Sequence, residues 1–139
     1  MCKSTEAYTP ETFNKRKIMF GAGGGFTGAV KDYCLLENGQ LFGRSSYPTP
    51  TGWQAVDTLE KSQVKQYFNQ IESLNLLKVK HERSGNWSYF ISIENGDKKH
   101  TITWCAEAPV PQNSVVSFYN ILNENVKSLP PFKPDNPVR

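Results

Sequence analysis

The chain has 139 residues, of which 37% are hydrophobic, 12% aromatic and 21% charged. This composition is typical of one globular domain, and no stretch approaches the ~20 consecutive apolar residues of a membrane-spanning helix. The net charge of +3 comes from 16 basic and 13 acidic residues, which are spread along the chain. A balance this even does not indicate a nucleic-acid partner.

Cys2 is followed by a polar stretch without hydrophobic periodicity. Mature bacterial lipoproteins have this arrangement, in which the cysteine carries lipid and a polar leader separates the lipid from the folded domain. We therefore expect residues 1–15 to be a polar tether with a lipidated Cys2, residues 16–128 a single α+β domain, and residues 129–139 a proline-rich tail. The expected location is the bacterial cell envelope, in the periplasm or at the outer membrane, with the lipid as the only membrane contact. The alternative is a cysteine without a role, close to a disordered terminus.

The first half of the domain is predicted to contain strands joined by glycine-rich turns. Residues 17–20 begin a strand, and the glycine cluster at 21–25 that follows cannot form a regular helix. A second strand is predicted over Ala29–Leu36, and an Asn-Gly pair at positions 38 and 39 indicates a tight turn that would pair Leu36 with Leu41. Residues 45–52 contain two prolines and are predicted to be a loop.

The second half begins with an amphipathic helix and continues with another strand pair. Apolar side chains recur on one face of the helix, at Val64, Tyr67, Phe68, Ile71 and Leu74. An alternating apolar pattern from residue 87 to residue 93 then predicts a strand, and a second Asn-Gly pair at 95 and 96 leads into residues 100–104. A two-residue turn there would set Trp87 opposite Trp104 and Tyr89 opposite Ile102, so that one face of the sheet is aromatic.

A second amphipathic helix is predicted to close the domain. Its apolar face consists of Val115, Phe118, Tyr119, Leu122 and Val126. The predicted fold class is therefore α+β, with a four-stranded antiparallel sheet in β-β-α-β-β-α order and both helices on one face.

The sequence does not contain the usual catalytic or metal-binding patterns. His81 and His100 are far apart, and neither an H-E-x-x-H helix nor a G-x-S-x-G elbow occurs. Residues 23–28 match the G-x-G-x-x-G pattern of nucleotide sites, but a strand is predicted where such a site needs a helix. We therefore predict a non-enzymatic protein with no catalytic residue, no metal site and no cofactor.

Cys34 and Cys105 are candidates for a disulfide if Cys2 carries lipid, because envelope compartments are oxidising. Both lie in apolar, strand-like sequence, where reduced cysteine also serves as a small apolar residue. Spacing alone does not decide between these alternatives.

The glycine-rich loop is the candidate partner-binding site, and its residues are Gly23, Gly24, Gly25, Phe26, Thr27 and Gly28. In one interpretation the glycines form a wide turn and Phe26 folds back onto the core. In the other, the loop presents Phe26 to an apolar pocket of a partner, and the bare glycine backbone allows close approach.

This loop and the order of elements around it resemble emfourin, a family of small bacterial inhibitors of thermolysin-type metalloproteases. The matching features are Gly24-Gly25-Phe26-Thr27-Gly28, Leu74-Asn75-Leu76-Leu77, the stretch 89–93 and the closing helix. The resemblance covers about residues 17–127, and only the loop motif is specific. The polar leader with Cys2, one extra glycine, the loop from 47 to 53 and the proline-rich tail depart from the small inhibitors.

The resemblance implies inhibition by occlusion of the protease cleft. Phe26 would fill the apolar pocket beside the protease zinc, and glycine backbone groups would pair with the cleft edge as a substrate does. The inhibitor would supply no zinc ligand of its own.

The expected function is thus a non-enzymatic envelope lipoprotein domain that binds a protein partner, with inhibition of a thermolysin-type metalloprotease as its most specific form. One alternative is a structural or assembly lipoprotein in which the glycine loop is only a bulge. Another is a small-ligand-binding domain that uses the aromatic face of Trp87, Tyr89 and Trp104, although packing of a helix against that face is the simpler interpretation.

Overall fold

A computed structural model describes residues 8–25, 28–47, 49–107 and 109–127. Its strands and helices follow one another as β1 (Arg16–Gly24), β2 (Ala29–Leu36), β3 (Gln40–Ser45), β4 (Gln54–Thr58), α1 (Lys61–Ser73), a short 3-10 turn (Leu76–Lys78), β5 (Trp87–Asn95), β6 (Lys98–Cys105) and α2 (Asn113–Glu124). Neither helix in these ranges is long and apolar enough to cross a membrane.

The strands form one antiparallel sheet of six strands in the order β4-β3-β2-β1-β5-β6. The predicted four-stranded sheet in β-β-α-β-β-α order is therefore wrong, because four strands rather than two precede α1. β3 is a full strand, not only the end of a turn, and β4 was not predicted at all. β4 has a weak pattern because it is a short edge strand whose only large apolar residue, Val56, is half-buried.

β1 extends through the glycine cluster, although this cluster was predicted to follow the end of the strand. Gly21 and Gly23 pair with Asp32 and Val30 of β2. A Cβ atom at Gly21 would lie 2.6 Å from the Cβ of Asp32, and one at Gly23 would lie 2.5 Å from the carbonyl oxygen of Ala29. Glycine therefore serves here to let two strands approach closely.

The two Asn-Gly hairpins form with registers that differ from those predicted. Leu41 pairs with Leu35 rather than Leu36, and only the glycine of the Asn38-Gly39 pair has positive φ. A two-residue type I′ turn needs positive φ at both central residues, so the chain forms a three-residue connection instead.

In the second hairpin Asn95 pairs with Lys98, which makes Gly96 and Asp97 the central residues of the turn. Gly96 has φ +66° at the first central position, where a type II′ turn requires glycine. The predicted Trp87–Trp104 pairing is therefore shifted by two residues, and Tyr89 lies opposite Trp104. A shift of two keeps the same side chains on the same face.

The main core lies between one face of the sheet and both helices. Fully buried side chains from the sheet face include Ile18, Phe20, Leu35, Ile91 and Ile102. They pack with the predicted apolar faces of the helices, of which Val64, Tyr67, Phe68, Ile71, Val115, Phe118, Tyr119, Leu122 and Val126 are buried. Hydrogen bonds from Asn125 to the hydroxyl of Tyr67 and from Gln63 to Asn125 join α1 to the end of α2.

A smaller cluster covers the opposite face of the sheet. Phe13 packs there with Cys34, Leu36 and Phe42, and a turn from Thr9 to Phe13 holds it in place. Residues 8–13, which lie within the predicted tether, thus contact the domain.

The ammonium group of Lys17 ties this N-terminal segment to the sheet. Its Nζ donates to the carbonyl oxygen of Pro10 at 2.6 Å and lies 3.5 Å from Oε1 of Glu94. The lysine is buried, so its ammonium group has lost most of its hydration, and both partners are needed to compensate for the free energy of that loss.

Candidate functional site

The end of the β1–β2 hairpin is held firmly on both sides. We call Gly23, Gly24, Gly25 and Gly28 the glycine hairpin. Gly24 pairs with Ala29 of β2 and with Trp87 of β5, so β1 lies between two hydrogen-bonded neighbours to its last residue. The N–H of Gly25 then donates to the carbonyl oxygen of Asn86 at 2.6 Å. Phe26 and Thr27, which complete the predicted site, lie outside the described residues.

Three glycines of this hairpin have the positive φ angles that L-residues rarely adopt: Gly24 at +125°, Gly25 at +73° and Gly28 at +70°. At Gly24 a Cβ atom would also collide with the carbonyl oxygen of Asn86, whereas at Gly28 nothing lies within 4 Å. The backbone path of the hairpin therefore depends most strongly on Gly24.

We expect Gly24→Ala to lower the free energy of unfolding by about 2–3 kcal/mol, because strained φ and the collision with Asn86 act together. Gly28→Ala has only the strained φ and should lower it by about 1 kcal/mol. Urea denaturation of the two variants measures both values. Equal losses would contradict the close approach of Asn86.

Beside the glycine hairpin lies an open cleft of about 540 Å³ on the helix-facing side of the sheet. We call it the aromatic cleft. Its lining comes from β1, β2, β5, α2, the end of β3 and the residues that directly follow β3 and α2, and the aromatic members are Tyr33, Tyr47, Trp87, Tyr89 and Tyr119. The volume is within the usual range of ligand sites.

The helix α2 covers one part of the predicted aromatic face and leaves another part exposed. Trp104 is only 3% exposed, since the ring of Tyr119 packs edge-on against it at 5.4 Å between centroids. Tyr89 stacks on Trp104 at 5.8 Å, and Trp87, 40% exposed, lies in the cleft. Helix packing thus covers Trp104, while Trp87 and Tyr89 contribute to the cleft.

Two tyrosines at the cleft have hydroxyl groups that remain protonated at neutral pH. Burial, together with the nearby Tyr89 and Tyr33, raises the pKa of Tyr119 to about 12. Burial, and secondarily the Asp32 carboxylate, also raises the pKa of Tyr33. Both hydroxyl groups can therefore act as hydrogen-bond donors.

The candidate disulfide between Cys34 and Cys105 is not formed, and both thiols are free and buried. Cys34 lies in β2 and Cys105 in β6, with β1 and β5 between them, so the strands are about 14 Å apart. A disulfide needs Cα atoms within about 7 Å. Burial raises the pKa of Cys34 to about 12, which keeps the thiol protonated.

The Nε2 atoms of the two histidines have different surroundings. His100 Nε2 lies 2.7 Å from the carbonyl oxygen of Val79, which makes that nitrogen the protonated one. His81 Nε2 is buried without a hydrogen-bond partner. Within the described parts of the chain, no three His, Cys, Asp or Glu side chains come close enough together to hold a metal ion.

Sequence reasoning missed the contribution of α2 and β3 to the site. Asn123, Val126 and Lys127 line one side of the cleft, and Ser45 and Tyr47 line another. Val126 was predicted only as a core residue. Asn123 and Lys127 lie near the end of a predicted helix, and Ser45 and Tyr47 lie in a predicted loop. No local pattern joins such distant positions, so only the topology could have indicated them.

No protein-family model matches the sequence, and no curated protein matches it. These comparisons therefore neither support nor oppose the emfourin resemblance.

Proposed function

We propose that this protein is a non-enzymatic envelope domain that binds a protein partner through the glycine hairpin, and that its partner is a thermolysin-type metalloprotease which it inhibits as emfourin-like proteins do. The observation that carries the proposal is the hydrogen bonding of β1 to both β2 and β5 as far as Gly24. The strand ends from which the loop leaves are therefore held in place before a partner binds, which lowers the entropic cost of binding.

The hairpin backbone also suits close contact with a partner. At Gly28 nothing lies within 4 Å of the position where a side chain would begin, so its backbone is open to another chain, whereas Gly24 and Gly25 already pack against Asn86 and Trp87. Phe26 lies between Gly25 and Gly28 in sequence and is the one large apolar residue of the loop. In the proposed complex Phe26 fills an apolar pocket of the protease, and the open backbone at Gly28 approaches the edge of its cleft.

Cys34 and His100 are of residue types that often perform catalysis, and both have other contacts in this fold. The thiol of Cys34 is fully buried and protonated, and His100 is engaged by a backbone carbonyl. The Cys34 thiol is therefore not placed to attack a bound substrate.

The test is a titration of a thermolysin-type protease with the full chain carrying Cys2→Ser. The rate at which the protease hydrolyses a small peptide substrate reports its remaining activity. We expect stoichiometric inhibition that Phe26→Ala weakens by at least 100-fold, about 3 kcal/mol for a central aromatic anchor. Leu77→Ala is the matched control, because Leu77 is 50% exposed and lies in the 3-10 turn, away from the hairpin. It should inhibit as the parent does.

Two results would contradict the proposal. Unaltered hydrolysis at excess protein, with the chain itself undigested, would exclude inhibition and favour a structural or assembly role. Equal inhibition by the parent and Phe26→Ala would exclude the hairpin as the anchor.

Anchoring to the envelope is a separate part of the proposal and rests on Cys2, which lies outside the described residues. Mass spectrometry of the protein expressed with a lipoprotein signal in a bacterium should find diacylglycerol on Cys2. A protein that stays in the membrane fraction after Cys2→Ser would contradict this anchor.

A further inference from the structure

The aromatic cleft has a floor of small residues because the helix-facing side of β1 changes in character along its length. The buried Phe20 is followed on that side by Ala22 and then by Gly24. Ala22 pairs with Tyr89 of β5, and Gly24 pairs with Trp87. Cross-strand partners share one face of a sheet, so these two aromatic side chains form a wall beside the small residues.

Two aromatic residues of the cleft expose much of their surface. Trp87 is 40% exposed, and Tyr47, which follows β3, is 51% exposed. β5 and β3 are separated by three strand spacings, about 14 Å, with the floor between them. A groove lined by exposed aromatic rings is the kind of surface on which proteins bind proline-rich segments.

Two polar side chains of the lining already have partners. Lys127 Nζ lies 3.1 Å from Oε2 of Glu124, and Ser45 Oγ donates to the carbonyl oxygen of Tyr47 at 3.0 Å. The surface that these contacts leave for an occupant consists mainly of rings and small side chains. An occupant with apolar side chains suits this surface better than a highly charged one.

The chain leaves the described domain at the wall of this cleft. After α2 ends at Glu124, the N–H groups of Val126 and Lys127 both donate to the carbonyl oxygen of Asn123 at 3.1 Å. Asn123, Val126 and Lys127 all line the cleft. Residues 128–139, which we call the tail, therefore begin at its rim.

The tail has the composition that an aromatic groove binds. Leu129, Pro130, Pro131 and Phe132 come first, and the charged residues follow them. Proline favours the polyproline II conformation, which advances about 3.1 Å per residue and loses little entropy on binding. In this conformation residues 128–134 would extend about 22 Å, which exceeds the distance of about 14 Å across the cleft.

We propose that residues 129–132 of this chain occupy its own aromatic cleft, with the prolines against the indole of Trp87 and the Phe132 ring above the small side chain of Ala22. The contact is intramolecular, and a short tether gives an effective concentration in the millimolar range. A modest intrinsic affinity is then enough to keep the cleft filled. A Cβ atom at Gly25 would lie 3.7 Å from the indole, so the occupant would also brace the base of the glycine hairpin through Trp87.

The test uses full chains carrying Cys2→Ser and a synthetic peptide of residues 128–139. In one chain, the tail variant, Leu129→Ser with Phe132→Ser removes the apolar side chains of the tail and leaves the cleft lining unchanged. Calorimetry should show that the peptide binds the tail variant, and binds the parent at least tenfold more weakly because the parent's own tail competes. A peptide with the same two serines is the matched control and should bind neither chain.

Substitutions in the cleft locate the binding surface. In the tail variant, Trp87→Ala should weaken peptide binding tenfold or more, and Trp87→Phe should retain part of the affinity. Trp53 packs in the cluster on the opposite face of the sheet, so Trp53→Phe is the matched control and should leave peptide binding unchanged.

Several outcomes would overturn the proposal. If millimolar peptide does not bind the tail variant, or if Trp87→Ala and Trp87→Phe, both folded by thermal melting, bind it unchanged, the tail does not use the cleft. Equal binding by the parent and the tail variant would mean that the parent's cleft is open to a segment of another protein. A dimeric parent and a monomeric tail variant in sedimentation would mean that the tail enters the cleft of a second copy.

The tail proposal and the proposed function fail independently. The peptide titrations contain no protease, so their failure would leave the proposed role of the glycine hairpin untouched. Absence of protease inhibition would, in turn, leave the tail proposal standing.

Discussion

Phe20→Ala is expected to lower the free energy of unfolding by about 3–5 kcal/mol, one of the two largest effects in this protein. Phe20 is 1% exposed at the centre of the sheet. Its ring stacks on Tyr33 at 5.5 Å and meets Tyr119 of α2 edge-on at 6.4 Å. Truncation removes the apolar side chain and leaves a cavity between β1, β2 and α2, which the rigid sheet cannot close.

Urea denaturation followed by far-UV circular dichroism measures this loss. Ile121→Ala is the matched control, since Ile121 lies on α2 but is 42% exposed, and we expect its effect to be below about 0.5 kcal/mol. A loss below about 1.5 kcal/mol for Phe20→Ala would mean that the cavity collapses, and that the core is less tightly packed than described.

Arg44→Ala is expected to lower the free energy of unfolding by about 3 kcal/mol, the second large effect. The Nε and Nη2 atoms of Arg44 each lie 3.1 Å from a carboxylate oxygen of Asp32, which is 6% exposed. The guanidinium group also lies 4.0 Å from the centre of the Trp53 ring. Removal of the arginine leaves a buried carboxylate without its charged partner, and this accounts for most of the loss.

A double-mutant cycle with Asp32→Asn measures the interaction energy between Arg44 and Asp32 apart from the other contacts that each residue makes. If the unpaired carboxylate is the main cause, Arg44→Ala should be much less harmful in the Asp32→Asn background. Arg44→Lys keeps the charge but not the two parallel hydrogen bonds, so an intermediate loss is expected. A loss under about 1 kcal/mol for Arg44→Ala would place this pair among ordinary surface salt bridges.

The helices could be predicted from sequence because each shows a complete apolar face at 3.6-residue spacing. Strand number could not, because β4 has a single large apolar residue and β1 ends in glycines that usually mark a turn. Those glycines lie in a strand because Asp32 and Val30 come too close for a side chain. Close approach between strands is a tertiary property that leaves no local periodicity.

The candidate site, like the fold, could be predicted from the sequence only in part. The glycine hairpin could be proposed from its composition, and the structure gives it a firm base. The cleft could not, since Ala22, Ser45 and Asn123 are unremarkable in sequence and meet only after β1, β3 and α2 have packed. The error of two residues at the Gly96 turn did not alter which aromatic residues share a face, because the side-chain period of a strand is two.

Lys17 and Pro10 are in contact at the end of β1 that is opposite the glycine hairpin. These residues meet where β1 begins, and the glycine hairpin lies where this nine-residue strand ends. At the usual rise per residue the two ends are about 26 Å apart. The N-terminal segment around Pro10 and the glycine hairpin therefore occupy opposite ends of β1, so that contacts made by one leave the other end of the sheet accessible.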